Sequence, residues 1–394
     1  MGPSLLSSRE RLVWLAGFLL IAGLIVATKF QSHDADSVRY ATISSVLSTL
    51  PVARWIAPEW WGLSPDNPLT GYFQEHPAGI FFIPTFLGRI GVPADQAPYI
   101  FGVGVGLVAL LLSAQLVGRL SSREHGRAAL VLLQIMPVAF VFRVRDNHEY
   151  PMLVCLLATL VGLDRVARSW RWVAVVAAGI TGALLVKGVF VAMVLMAAGV
   201  WILVNPTGAS RSRQIAACLV AVVVAGITAL GYDVWYTRVT GGPFWSAYWQ
   251  RQLTPLEVAS PFGQAWDFAQ HIFFYAGRLL FHPAPWSLAL VWAAMRRGAA
   301  PALDRNARDG LRFVILFTVL SVVLLSLASR FAERYAFSAT YIVAAAGVVA
   351  ACRYWPVVNR TLGTLDRAVP ALPALVWVAL VGVRLLLGPW LPRM

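Results

Sequence analysis

Charge is scarce in this chain. Of its 394 residues only 13% are Asp, Glu, Lys or Arg, against roughly 25% in a soluble globular domain. Cysteine is scarcer still: Cys155, Cys218 and Cys352 each fall inside an apolar run, far apart in sequence. That excludes a disulfide framework and a cysteine metal knuckle and leaves buried, inert thiols. No phosphate-cradling glycine loop of the P-loop type is present, which excludes a nucleotide-driven machine. The six histidines, His33, His76, His125, His148, His271 and His282, share no metal-ligand spacing. A divalent cation assembled from loop His and carboxylates stays open, and no cofactor is called for. No internal repeat, low-complexity segment or separate soluble domain is visible. The expectation is one domain over residues 1–394.

What the chain has instead is apolar residues, 59% of the total, with a mean hydropathy of +0.69. Runs long enough to cross a bilayer, about 20 residues, recur from end to end. They are Leu12–Thr28, Tyr99–Leu116, Ala128–Phe142, Met152–Leu163, Trp172–Val186, Val189–Val204, Ile215–Trp235, Phe273–Met295, Phe313–Leu327, Tyr335–Cys352 and Ala368–Leu387. The first lacks a small-residue cleavage site and reads as a retained helix. The segment His76–Val92 is apolar but interrupted by Pro77, Pro84 and glycine. Counted as a span, it would put Arg119, Arg123 and Arg127 on the wrong side. Laid in the interface, it leaves arginines in every inner loop, from Arg9 and Arg11 through Arg165, Arg211, Arg296 and Arg312 to Arg353 and Arg367. That is the positive-inside pattern. It accounts for the net charge of +14 without nucleic acid. The fold class is therefore all-α, a polytopic transmembrane bundle of about 11 spans. The N-terminus is cytoplasmic, and interfacial helices lie in a long first outer loop, residues 30–98.

This topology collects the chemistry on one face. The first outer loop holds Asp34, Asp36, Arg39, Glu75 and His76. The second holds Asp146, His148 and Glu149. Lys187 tops a hairpin of two spans. An aromatic-rich outer loop, residues 236–271, carries Arg251, and the last carries Arg330, Glu333 and Arg334. Ionisable groups at membrane depth are costly and usually functional. Each has a plainer reading alongside. Asp36 precedes a helix expected over Ser37–Leu50 and would cap it. Glu75-His76-Pro77 would open a helix with proline in its first turn. Asp146 and Glu149 would cap the span after Pro151. Lys187 would snorkel to the interface. Trp60, Trp61, Trp235, Trp245, Trp249 and Trp286 fit an interfacial belt first and sugar stacking second.

Taken in order, the segments resemble the C-type glycosyltransferase (GT-C) superfamily, in the branch of protein O-mannosyltransferases and the aminoarabinose transferase of lipid A. Asp36-Ser37-Val38-Arg39-Tyr40-Ala41 is similar to an Asp-Glu-x-Arg-Tyr-Ala motif after the first span. Tyr72 to Pro77 resembles an aromatic segment ending in Glu-Lys-Pro-Pro. Asp146 to Pro151 is similar to an acidic stretch ahead of proline, and Lys187-Gly188 to a Thr-Lys-Gly hairpin. Trp249-Gln250-Arg251 resembles the stretch around a phosphate-facing Arg. Tyr275 with Pro285-Trp286-Ser287, and Arg334-Tyr335, complete the order. Ser37 stands where the branch has Glu, and His76 where its lipid A members have Lys.

The resemblance implies an inverting glycosyltransferase of the bacterial inner membrane. Its donor would be a polyprenyl-phosphate sugar, and its acceptor a hydroxyl of a glycan, glycolipid or protein at the non-cytoplasmic face. It implies Asp36 as general base, with Asp34 the nearest rival. Arg251, His76, Lys187 and Arg334 would bind the donor phosphate. Glu75, Asp146, Glu149, Arg39 and Tyr275 would position substrate. The competing class is a transporter or lipid flippase. Charged residues inside spans and helices broken at the midplane would mark it, and the chain is poor in both; no inverted repeat is visible.

Overall fold

The structure, a computed structural model, describes residues 5–60 apart from Gln31 and His33, then 71–136, 138, 139, 142, 145–253, 261–296, 304–327 and 332–355, with five isolated positions beyond. The expected span Ala368–Leu387 lies outside the described residues save four scattered positions, and His33, Trp61 and Arg330 lie outside them too. Among those described, all regular structure is helical apart from one isolated bridge between Glu59 and Tyr72. In chain order the helices are α1 (Ser8–Thr28), α2 (Ala35–Thr49), α3 (Gly79–Arg89), α4 (Ala97–Leu120), α5 (Arg123–Leu132), α6 (Glu149–Arg165) and α7 (Trp172–Lys187). They continue with α8 (Val191–Val204), α9 (Arg211–Thr240), α10 (Phe244–Leu253), α11 (Pro261–Phe281), α12 (Trp286–Met295), α13 (Arg305–Ser326) and α14 (Phe337–Tyr354).

Six helical stretches among the described residues are long and apolar enough to cross a membrane. The chain is a multi-pass membrane protein. Two expected spans are broken. Ala128–Phe142 runs as α5, a 3-10 turn and then extended backbone at Met136, with φ −69° and ψ 120°. Pro137 follows, and a residue before proline is pushed out of the helical region. Phe273–Met295 divides at His282-Pro283-Ala284-Pro285 into α11 and α12, because proline lacks the N–H that a continuous helix needs. The prolines at 137, 283 and 285 stand inside runs whose average hydropathy stays high.

The segment His76–Val92 forms the 11-residue α3. Such a helix rises about 16 Å, well short of the roughly 30 Å hydrocarbon core. It packs on α2, where Thr85 Oγ1 donates to the Ser44 carbonyl at 3.4 Å and Arg89 Nη1 to the Leu50 carbonyl at 3.3 Å. Gly79 permits its approach to α7, since a Cβ there would lie 2.6 Å from the Leu185 carbonyl oxygen.

Polar contacts sort into two ends. At one end Arg127 pairs with Glu10 at 2.8 Å, and Arg119 with Asp164 at 3.3 Å. There Gln214 also donates to the Leu163 carbonyl at 3.1 Å, and Arg213 to the Ala167 carbonyl at 2.7 Å. These are residues of the arginine-rich loops, gathered on one side as the loop charges require. At the other end lie α2, α3, the start of α6, the turn between α7 and α8, and the 3-10 turn Glu333–Ala336. Lys187 sits beside Glu149 at the first turn of α6, and Gln214 beside Leu163 near its last. The chain therefore reverses at Gly188, as the hairpin reading expects.

Candidate active site

Asp34, not Asp36, caps α2. Its carboxylate accepts from the Ser37 N–H at 3.2 Å and the Ser37 hydroxyl at 3.0 Å, and Arg145 Nη1 lies 3.6 Å from its other oxygen. The expected cap was one residue pair too late. Asp36 stands in the first turn with its carboxylate released from capping. Arg334 Nη1 donates to Asp36 Oδ2 across 298 residues of sequence, and Arg39 Nη1 is 3.9 Å from Oδ1.

Arg334 reaches this position from the short turn before α14. The N–H of Ala332, two residues earlier, donates to the Tyr275 hydroxyl at 3.4 Å. Tyr275 is fully buried and so holds the turn that presents Arg334. It was expected among the substrate-positioning groups, and its contact is with that turn.

Behind this pair is a second, buried one. Lys187 Nζ lies 3.3 Å from Glu149 Oε1, with side chains 5% and 2% exposed. The lysine does not snorkel. Its ammonium is boxed by the rings of Phe190 and Tyr335, 4.6 and 4.7 Å from their centroids. Glu149 acts electrostatically on Arg334, and Asp36 on Lys187, so the two pairs form one network. Gly188 makes the turn beneath it. Its φ of +55° suits glycine, and a Cβ would collide with the Tyr248 hydroxyl. That hydroxyl accepts from the Val189 N–H at 2.8 Å and donates to the Lys187 carbonyl at 3.3 Å.

His76 and His148 complete the wall. Their ring centroids are 4.5 Å apart, and Tyr40 packs edge-on to His148 at 5.1 Å. Burial, with Lys187 and Arg334 close by, pushes the His76 imidazole well below its usual range. Burial, His76 and the same two cations do so for His148. Burial likewise raises the Tyr40 phenol. His76 therefore offers a neutral ring where the lipid A branch has a lysine. It does not open α3 either: the helix begins at Gly79 with Ala78 at its cap position. Tyr40 and His148 are the site members to which sequence reasoning gave no role. The signal for His148 was its place next to Glu149, and for Tyr40 its place within the Asp36 motif.

The remaining candidates stand apart or at the edge. Glu75 acts on Tyr40 electrostatically, and its carbonyl accepts from Gln252 at 3.0 Å. Arg251, next to Gln252 on α10, is exposed, and α10 is tied to the site through Gln252. Asp146 is buried without capping α6: His148 holds the cap position, and Asn147 Oδ1 accepts from the Glu149 N–H at 3.3 Å. Asp146 Oδ2 has no hydrogen-bond partner, and burial pushes its carboxyl up to about 8. No group of three or more His, Cys, Asp or Glu placed to hold a metal occurs among the described residues. Trp286 is buried, with Nε1 donating to the Leu132 carbonyl at 2.9 Å, so it belongs to the core and not to a belt. An apolar groove of about 770 Å³ lies between α1, α3 and α4, lined by Phe18, Val26, Ile83, Leu87, Phe101 and Val108 among others.

Residues 75–232 match the family model described as dolichyl-phosphate-mannose-protein mannosyltransferase. The crystal structure of ArnT from Cupriavidus metallidurans in the apo state is similar over 95% of this chain, with a TM-score of 0.64 and 18% identity. The same protein bound to undecaprenyl phosphate is similar over 98% of this chain, with the same TM-score and identity. The chain spans 64% and 65% of those two structures. No curated protein matches the sequence. The chain has the fold of the ArnT structures. The family model over residues 75–232 and this likeness of fold agree with the branch that its motifs resemble.

Proposed function

We propose that the protein is an inverting membrane glycosyltransferase. It moves a monosaccharide from a polyprenyl-phosphate donor to an acceptor hydroxyl at the non-cytoplasmic face of a bacterial inner membrane. The observation that carries this reading is the Asp36–Arg334 pair backed by Glu149–Lys187. A carboxylate that can take a proton stands beside cations that can hold a phosphate. Undecaprenyl phosphate bound to ArnT supports a lipid phosphate as the matching ligand.

In this reading Asp36 takes the proton of the acceptor hydroxyl. The acceptor oxygen forms a bond to the anomeric carbon as the bond from that carbon to the phosphate oxygen breaks. The electron pair leaves on the lipid phosphate. Cationic groups aimed at that developing charge supply the electrostatic stabilisation. Arg334 is placed for this. Lys187 contributes from behind, held by Glu149. Arg251 meets the lipid at the rim, and His76 presents a neutral imidazole. Arg39 stands beside Asp36 and Glu75 acts on Tyr40, while Asp146 is buried away from the pair. The prenyl chain lies between helices at the membrane edge. Residues 254–260 of the aromatic-rich loop lie outside the described residues.

The test is sugar transfer by purified protein in nanodiscs, offered a panel of polyprenyl-phosphate sugars, with release of the lipid phosphate as readout. Release from at least one donor supports the reading. A folded protein that neither binds nor turns over any of them refutes it.

A further inference from the structure

Arg334 is the cation best placed to serve two anions in turn. Its side chain is 35% exposed and that of Asp36 31%, so a lipid headgroup reaches both. Lys187, by contrast, is shut in by Glu149, Phe190 and Tyr335. Arg334 hydrogen-bonds Asp36 through Nη1. A guanidinium has five N–H donors in a fixed fork and grips phosphate with two of them. Its turn is fixed at Ala332 by the Tyr275 hydroxyl, so exchange between partners needs only side-chain rotation. Arg39, at 3.9 Å from Oδ1, stays with Asp36 when Arg334 turns away.

The reaction proposed above moves negative charge. A sugar phosphodiester carries one charge, and the lipid phosphate it leaves behind gains a second. Over the same step Asp36 takes up a proton and loses its charge. A cation between the two is pulled from carboxylate to phosphate as the bond breaks. We propose that Arg334 is this charge-following catalytic residue. It holds the Asp36 carboxylate in the empty site and passes to the lipid phosphate when the donor binds and reacts. Donor binding then precedes use of the base, because it is the phosphate that draws Arg334 off Asp36. The inference rests on the transferase reading.

A consequence runs against the usual effect of deleting a catalytic residue. Removing the carboxylate frees Arg334, so Asp36→Asn binds the product lipid phosphate more tightly. The pair is partly exposed, and such pairs are worth up to about 1 kcal/mol, so the gain is roughly three- to fivefold. Plain relief of charge repulsion also predicts tighter binding, but without dependence on Arg334. The experiment is therefore a double-mutant cycle. Undecaprenyl phosphate is titrated into wild type, Asp36→Asn, Arg334→Gln and the double variant in nanodiscs. Asp34→Asn is the control, since Asp34 pairs with Arg145.

The expected result is a gain for Asp36→Asn that vanishes in the Arg334→Gln background, with no gain for Asp34→Asn. Equal gains in both backgrounds, or no gain, overturn the proposal while leaving the transferase reading intact. If wild type itself fails to bind undecaprenyl phosphate, the transferase reading falls and the inference with it. Should Arg334→Gln not fold, Arg334→Lys replaces it. Lysine keeps the charge but lacks the fork, so the gain must shrink by at least half, and an undiminished gain counts against the proposal.

Discussion

The Glu149–Lys187 pair offers the sharpest test of the packing around the site. Its side chains are 2% and 5% exposed and its closest atoms 3.3 Å apart. Breaking a buried pair by removing one partner typically costs about 3–5 kcal/mol, because the survivor is left charged without compensation. The two sides are not alike here. Without Glu149, Lys187 still faces Phe190 and Tyr335 at 4.6 and 4.7 Å, and a desolvated cation–π contact is worth up to about 2 kcal/mol. Without Lys187, Glu149 keeps only the electrostatic attraction of Arg334, and its Oε2 has no hydrogen-bond partner. Glu149→Gln should therefore cost about 2–3 kcal/mol and Lys187→Met about 3–5 kcal/mol. The double variant should fall well below their sum, since it leaves no buried charge behind. The assay is thermal unfolding of the four proteins in one detergent. At about 2–4 °C per kcal/mol, the singles separate clearly from wild type. Additive losses would refute the reasoning, as would Glu149→Gln being the worse single.

Two further outcomes follow from the same geometry. Burial raises the Asp146 carboxyl to about 8, above the roughly 3.9 of an unfolded aspartate. Its favourable share of stability is thus complete below pH 4 and is lost as pH rises toward 8. Asp146→Asn should raise the Tm by an amount that grows between pH 5 and pH 8, and a pH-independent difference would contradict the assignment. Gly188→Ala should lower both Tm and turnover, because its Cβ collides with the Tyr248 hydroxyl at a positive φ. Gly241→Ala, also at positive φ but with open space around it, should lose stability and keep turnover.

The grouping of the arginine-rich loops at one end was legible before any coordinates, because loop charge is a one-dimensional signal. So was α3 as a helix too short to span, 11 residues broken off by Pro77 and Gly91. Helix breaks at 133–136 and 282–285 were not legible from hydropathy, which reads apolar runs and passes over a proline. Within the site, Asp36, Glu149, Lys187 and Arg334 each stood out as an ionisable group near membrane depth. Their pairing did not. Arg334 meets Asp36 across 298 residues and Lys187 meets Glu149 across 38, and no local pattern encodes such distances. The cap of α2 shows the limit at short range. Both Asp34 and Asp36 suit a helix start, and only the backbone decides which is spent on the Ser37 N–H.

The central claim is that Asp36 is the base of a sugar transfer from a lipid phosphate. The direct measurement is single-turnover release of polyprenyl phosphate by wild type and by Asp36→Asn, each saturated with the donor that the panel identifies. General-base catalysis is typically worth about 10²–10⁴-fold. Asp36→Asn should lose turnover by that factor with donor binding retained. Equal turnover by the two proteins would contradict it.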